Sequence, residues 1–158
     1  MRILAALVLA CLALPAARAA TRLDDSASPR SRVDVTSRWL HTQEGLTDPA
    51  QLNAMVAEVR NLEVRLNTSA YVGKRGRVYL TVPASTPGLQ SPSGMRVEWR
   101  TRGTLIAGSA LPGTRSLVYD GPITRALLAD FMDFSLFLDA RFVQAGLRFE
   151  PVFEIETN

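Results

Sequence analysis

Apolar and polar residues alternate most clearly near the C-terminus, from Asp133 to Glu156. Side chains alternate between two faces only in an extended strand, so this stretch predicts a β-hairpin with one buried face and a turn at residues 144–146. The acidic residues between the apolar ones then lie on the solvent face. The residues predicted to point inward are Phe134, Leu136, Leu138, Phe142, Leu147, Phe149, Phe153 and Ile155.

Shorter segments with the same alternation recur along the chain, separated by turns rich in proline and glycine. Residues 83–94 contain three prolines and two glycines and are predicted to form an exposed, mobile loop. Residues 122–130 have a composition compatible with one helical turn. The predicted strands cover residues 32–40, 62–67, 77–82, 95–102, 104–110 and 115–119.

One short helix is predicted between residues 48 and 60. Thr47 and Asp48 can accept hydrogen bonds from free backbone N–H groups, and Pro49 suits the first turn of a helix. The apolar residues that follow are spaced so that they share one helical face, which we expect to pack against a sheet. They are Leu52, Met55, Val56 and Val59.

Seven or eight short strands with turns between them predict a mainly β fold. We interpret it as an antiparallel, immunoglobulin-like β-sandwich with the short helix near residues 48–60 added. Half-buried alternation argues against a parallel α/β sheet, whose strands are apolar on both faces. The prediction is one domain over residues 32–158, preceded at residues 20–31 by a polar leader that we expect to be disordered.

Residues 1–19 have the features of a cleaved signal peptide. Arg2 precedes an apolar segment, and residues 17–19 (Ala-Arg-Ala) give the pattern that signal peptidase recognises. A lipoprotein site at Cys11 is the alternative, but the apolar segment before it is too short. We therefore predict cleavage before Ala20, export to the periplasm or the extracellular space, and no integral membrane segment after cleavage.

Removal of the signal peptide changes the charge and the cysteine content. Loss of Arg2 and Arg18 leaves 16 basic and 15 acidic residues, so the net charge falls from +3 to +1 and no nucleic-acid partner is predicted. The only cysteine, Cys11, is lost as well, which excludes a disulfide, a thiolate metal site and a cysteine nucleophile.

The remaining chemistry predicts neither an enzyme nor a cofactor or metal site. His41 is the only histidine, and the Gly-x-Ser-x-Gly pattern of serine hydrolases is absent. The late carboxylates could pair as in a glycosidase, but the alternation places them on solvent faces of neighbouring strands. We therefore predict no catalytic residue.

Charge is distributed unevenly along the sequence. From Arg60 to Arg115 nine basic residues face two acidic ones, whereas from Ser116 onward three arginines face seven acidic residues. Two interpretations stay open: basic and acidic strands pair within one domain, or they form opposite ends of an interaction surface. The candidate charged surface consists of Arg75, Arg77, Arg96, Arg100 and Arg102.

Together these features predict an exported, non-enzymatic β-sandwich protein that acts in binding or in periplasmic or extracellular assembly. Its partner would be another protein or a second copy, held through a sheet edge or the charged face. Val33, Val35 and Trp39 form a candidate strand for donation to a neighbouring sheet. Two alternatives are a carrier of a small apolar ligand with a lipocalin-like barrel and a small outer-membrane β-barrel.

Overall fold

A computed structural model describes residues 20–29 and 33–157 of the chain. The signal peptide predicted at residues 1–19 lies outside the described residues. In chain order the elements are β1 (Thr21–Arg22), β2 (Val33–Asp34), β3 (Ser37–Trp39), α1 (Pro49–Leu52), β4 (Ala54–Asn67), a 3-10 helix (Ser69–Tyr71), β5 (Arg75–Thr81), a 3-10 helix (Pro92–Gly94), β6 (Met95–Thr101), β7 (Gly108–Ala110), β8 (Arg115–Pro122), β9 (Leu127–Asp139), a 3-10 helix (Ala140–Phe142), β10 (Arg148–Phe149) and β11 (Val152–Thr157).

The strands form three antiparallel sheets, so the fold is mainly β as predicted. The larger sheet has the order β3-β4-β9-β6-β7, with the long strand β9 at its centre. A four-stranded sheet has the order β1-β11-β5-β8, and β10 pairs with β2 in a two-stranded sheet. Within the described residues, no helix has the length and apolar composition needed to cross a membrane.

The apolar core is built from the inward faces of the two larger sheets. Phe134 of β9 contacts Phe149 of β10, with ring centroids 5.0 Å apart, and Trp99 of β6 lies 6.4 Å from Phe134. Seven of the eight residues predicted to point inward near the C-terminus are buried, which confirms the alternation. The eighth, Phe142, is half-buried in a 3-10 helix.

The predicted C-terminal hairpin is wrong, because its two strands lie in different sheets. β9 pairs with β4 and β6, whereas β11 pairs with β1 and β5. After β9 the chain passes through a 3-10 helix and β10 before it enters the four-stranded sheet as β11. Alternation identifies the buried face of each strand, but it does not specify which strand lies beside it.

The predicted helix at residues 48–60 is also wrong beyond its first turn. The Asp48 carboxylate accepts a hydrogen bond from the Ala50 N–H at 2.9 Å, and Pro49 starts α1, but α1 ends at Leu52. The following residues form β4, in which a β-bulge shifts the register between Val59 and Leu62. Likewise, the helical turn predicted at residues 122–130 is replaced by the start of β9.

The leader predicted to be disordered contributes to the fold. Thr21 and Arg22 pair with β11, and Leu23 is buried in the core. The backbone N–H of Asn67, at the end of β4, donates to the Asp24 carbonyl at 2.9 Å. The leader therefore links the four-stranded sheet to the edge of the five-stranded one.

The loop at residues 83–94 is exposed in part, as predicted, but it is hydrogen-bonded to the segment after β9. Gln90 donates to the carbonyl of Phe142, and Gln144 donates to the carbonyl of Gly88, both at 2.8 Å. Leu89 and Val143 form an isolated antiparallel bridge. These bonds anchor the loop that we expected to be mobile.

Candidate functional site

The outer face of the five-stranded sheet carries a cavity of about 810 Å³, which we call the outer groove. It lies over the three central strands because outward side chains of β4, β9 and β6 come together there through the strand register. Ser135 on β9 is paired with Glu58 on one side and with Glu98 on the other. The charged and hydroxyl side chains that line the groove are Glu58, Arg60, Glu98, Arg100, Arg102, Ser109, Asp133 and Ser135.

Most charges of the outer groove are already paired within the chain. Arg60 contacts Glu58 at 2.9 Å, and Arg96, just beyond the groove, forms an ion pair with Glu98. Exposed pairs of this kind contribute at most about 1 kcal/mol each to stability. They therefore hold the side chains in place more than they stabilise the fold.

Asp133 accepts more hydrogen bonds than any other carboxylate of the groove. It accepts the backbone N–H of Asn61 at 2.6 Å and the Arg102 guanidinium at 3.0–3.1 Å, and Arg102 also donates to the side-chain oxygen of Asn61 at 3.1 Å. Asn61 has a φ of 56°, a left-handed conformation that asparagine tolerates better than most residues. The network thus fixes the β-bulge of β4, and these hydrogen bonds lower the pKa of Asp133 below its ordinary value.

We expect Asp133→Asn to destabilise the protein at neutral pH by about 1 kcal/mol, because it removes a charge-assisted bond that solvent partly screens. Because the pKa of Asp133 is lower in the folded state, its contribution is present above the unfolded pKa of about 3.9 and is lost as the pH falls through the folded value. The difference between wild type and variant should therefore shrink below pH 4, as measured by urea denaturation across pH. Asp34→Asn, at an exposed carboxylate, is the charge-matched control, and identical pH profiles for both variants would contradict the expectation.

Asp130 is buried, and its carboxylate binds backbone N–H groups. It accepts hydrogen bonds from the N–H groups of Leu105 at 2.8 Å and Phe131 at 2.7 Å, which fixes the turn that follows β6. Asp139 caps the 3-10 helix after β9 through the Arg141 N–H, and the Arg141 side chain lowers the pKa of Asp139. These two late carboxylates therefore have structural contacts that sequence reasoning did not identify.

The five arginines of the predicted charged surface do not share one surface. Arg96, Arg100 and Arg102 lie on or just after β6 in the five-stranded sheet, whereas Arg75 and Arg77 lie on β5 in the four-stranded sheet. There Arg75 contacts Asp120 at 2.9 Å and Arg77 contacts Glu156 at 3.6 Å. These contacts are the pairing between strands that the first interpretation of the charge pattern expects.

A further arginine strengthens the pairing on the four-stranded sheet. Arg115 lies over the Tyr79 ring, 4.2 Å from its centroid, and contacts Glu156 at 2.8 Å. The hydrogen bond from Arg115 lowers the pKa of Glu156. The arginines of β5 and the first arginine of β8 are therefore each engaged with a carboxylate.

The residues of the predicted donated strand do not form one strand, because β2 ends before Val35 and β3 begins after it. Val33 belongs to β2 and pairs with Phe149, and both Val33 and Val35 pack against the protein's own core. Trp39 belongs to β3 at the edge of the five-stranded sheet, where it is 48% exposed. Donation to a neighbour would require Val33 and Val35 to leave this core.

A smaller cavity of about 210 Å³, which we call the apolar pocket, lies at the end of β9 next to the outer groove. Phe137 lines both cavities, and the Arg96 guanidinium lies 4.5 Å from the centroid of its ring. Leu40 and Leu111 line the apolar pocket and are 38% and 52% exposed. Sequence reasoning missed this pocket, because its residues come from separate segments of the chain.

The chemistry of this face suits binding. Guanidinium groups, hydroxyls and exposed apolar side chains lie side by side, and within the described residues no group of three or more His, Cys, Asp or Glu side chains could hold a metal ion. His41 is exposed in the loop after β3.

No protein-family model matches the chain, and no curated protein matches it either.

Proposed function

We propose that this is an exported, non-enzymatic protein that binds a partner protein on the outer face of its five-stranded sheet. The observation that carries the proposal is the outer groove of about 810 Å³, in which charged groups and hydroxyls converge beside an exposed apolar pocket. Binding sites combine concave shape, apolar contact area and a few polar groups that fix orientation. Charge pairing does not distinguish the two sheets, since Arg75, Arg77 and Arg115 are engaged with carboxylates as Arg60 and Arg102 are. The concave shape and the adjacent apolar pocket therefore support the choice of face.

Binding through a face is better supported than binding through a sheet edge. The edge strands β1, β3 and β7 have only two or three residues each, and the leader partly covers β4 beyond β3, where the Arg65 N–H donates to the Ser28 hydroxyl and the Asn67 N–H to the Asp24 carbonyl. The fourth edge, β8, is partly occupied, because the Ile106 N–H donates to the Val118 carbonyl at 2.7 Å and the Ser116 hydroxyl donates to the Ser109 carbonyl at 2.6 Å. Short and covered edges discourage strand addition.

The proposal also includes a fold type and export from the cytoplasm. We assign the two larger sheets to an immunoglobulin-like sandwich, and the single apolar core to which the buried residues of both sheets belong supports this. Export rests on the signal-peptide pattern of residues 1–19. Intact-mass measurement of the protein recovered from outside the cytoplasm should give a chain that begins at Ala20, and an uncleaved chain would overturn this part.

Site-specific photo-crosslinking tests the binding face. A benzoylphenylalanine placed at Ser109, on the rim of the outer groove, should crosslink the full-length protein to a partner in the cells that produce it. The matched control places the same group at Leu117, which is 37% exposed on β8 of the four-stranded sheet. Crosslinks from Ser109 alone support the proposal. Equal crosslinks from both positions, or none from Ser109, would overturn it.

A further inference from the structure

We propose that the partner presents an extended acidic segment whose acidic side chain binds Arg100 and whose apolar side chain enters the apolar pocket. This inference rests on the proposed function, because it assigns a partner chemistry to the same face. Three features of the outer face carry it: an arginine without an acidic partner, a floor of small side chains, and the distance between Arg100 and the apolar pocket.

Arg100 is the arginine of this face that lacks a carboxylate. Its register partner is Asp133, but Asp133 is bound by Arg102 and by the Asn61 N–H. Arg60 and Arg96 are paired with Glu58 and Glu98. Within the described part of the chain, Arg100 makes no ion pair or side-chain hydrogen bond, although it lines the outer groove.

The pairing of charges on this face leaves Arg100 to bind an anionic partner. Four arginines and four carboxylates line the outer groove and the apolar pocket, so their charges sum to zero, and each of the four carboxylates is bound by an arginine other than Arg100. Guanidinium groups bind carboxylates in a planar, two-bond geometry that favours an acidic side chain. The charged lining residues are Arg60, Arg96, Arg100, Arg102, Glu58, Glu98, Asp133 and Asp139.

Small side chains form part of the groove lining between its two ends, beside the paired carboxylates of Glu58 and Glu98. Ala107, Gly108 and Ser109 line one side, and Ser135 lies on the central strand. The Ser135 hydroxyl makes no hydrogen bond to any other described residue, and it is partly exposed. Small residues allow a backbone to approach closely, and free hydroxyls can bond to its peptide groups.

The strand geometry sets the spacing that the partner needs. Arg100 is paired with Asp133 and Arg96 with Phe137, so Arg100 and the near end of the apolar pocket are separated by four residues of β9. At about 3.3 Å per residue this distance is roughly 13 Å. An extended segment that runs along β9 spans it with about four or five residues, whereas a helix needs about nine at 1.5 Å per residue.

A peptide series tests the proposal on the full mature protein. Dye-labelled threonine-based peptides carry one leucine and one glutamate, in either order, separated by two to nine positions, and their binding is measured by fluorescence anisotropy. We expect the tightest binding at a separation of four, because residues four apart in an extended segment point to the same face, whereas residues five apart point to opposite faces. Arg100→Glu should weaken the best peptide at least about tenfold, and it should favour the version with lysine in place of glutamate.

Matched variants separate site-specific binding from general charge attraction. Arg125→Glu makes the same charge change at an exposed arginine outside the outer groove and should leave binding nearly unchanged. Leu111→Ser should remove the preference for leucine without affecting the preference for glutamate. Equal losses in Arg100→Glu and Arg125→Glu, no dependence on separation, or no binding by any peptide would overturn the proposal. If the Arg100→Glu variant still crosslinks from Ser109, the partner binds this face but is not recognised through an acidic side chain at Arg100.

Discussion

Phe134→Ala is expected to lower the free energy of unfolding by about 3–5 kcal/mol, a large part of the 5–15 kcal/mol typical of a domain. Phe134 is 1% exposed at the centre of β9, and its ring contacts Phe149 at a centroid distance of 5.0 Å. Truncation removes this edge-on contact and leaves a cavity beside the Trp99 ring in the apolar core. The sequence contains one cysteine, so no disulfide within the chain compensates for the loss.

Phe131→Ala is the matched control for this prediction. Phe131 lies on the same strand, but it points to the outer face and is 40% exposed, so its truncation should cost less than about 1 kcal/mol. Urea denaturation monitored by circular dichroism measures the free energy of unfolding of each variant, and an m value equal to that of the wild type makes the comparison valid. Similar losses of stability in both variants would contradict the assignment of Phe134 to the buried face of β9 and of Phe131 to its exposed face.

The buried face of each strand could be predicted from the sequence because alternation is a local property. Val78, Leu80, Val97 and Trp99 are buried as predicted, each on a strand close to its predicted bounds. A side chain's face depends only on its position in its own strand. The neighbouring strand depends on contacts distant in sequence, and for this reason β9 and β11 could not be assigned to different sheets.

Two irregularities of β4 explain why residues 48–60 were misread as a helix. Before the bulge Ala57 and Val59 are buried, and after it Leu62 and Val64 are buried, so the inward positions change from odd to even numbers. A strict period of two therefore fails across the segment. Val56 is also buried, at an even position before the bulge, so Leu52, Met55, Val56 and Val59 have the spacing of a helical stripe although the last three lie in β4.

The candidate site could be predicted only as a set of residue types. The sequence identified Arg96, Arg100 and Arg102 as outward residues of one strand, and the structure places them beside the groove. It could not show that Asp133 would bind Arg102 in preference to Arg100, because that choice depends on the backbone N–H that the bulge presents at Asn61. The leader was misjudged for a related reason, since one buried leucine, Leu23, outweighs the polar composition around it.

Gly88→Ala is expected to destabilise the protein by about 2–5 kcal/mol, because it combines a strained backbone with a collision between two main chains. Gly88 has a φ of 84°, and a Cβ there would lie 2.6 Å from the backbone N and Cα atoms of Leu147. Neither segment can move freely, since the Gly88 carbonyl accepts the Gln144 N–H and the Pro87 carbonyl accepts the Arg148 N–H. The junction leads directly into β10, so the disturbance should reach the Phe134–Phe149 contact and reduce the near-ultraviolet circular dichroism.

The matched control for Gly88 is Gly146→Ala in the same junction. Gly146 has the same φ of 84°, but a Cβ there would meet no atom within 4 Å. It should therefore show only the backbone cost of about 1–2 kcal/mol, with the near-ultraviolet signal retained. The difference between the two variants in urea denaturation isolates the collision with Leu147. If both variants lose the same stability, the close approach of residues 88 and 147 contributes nothing, and the loop at residues 83–94 is not anchored as the structure indicates.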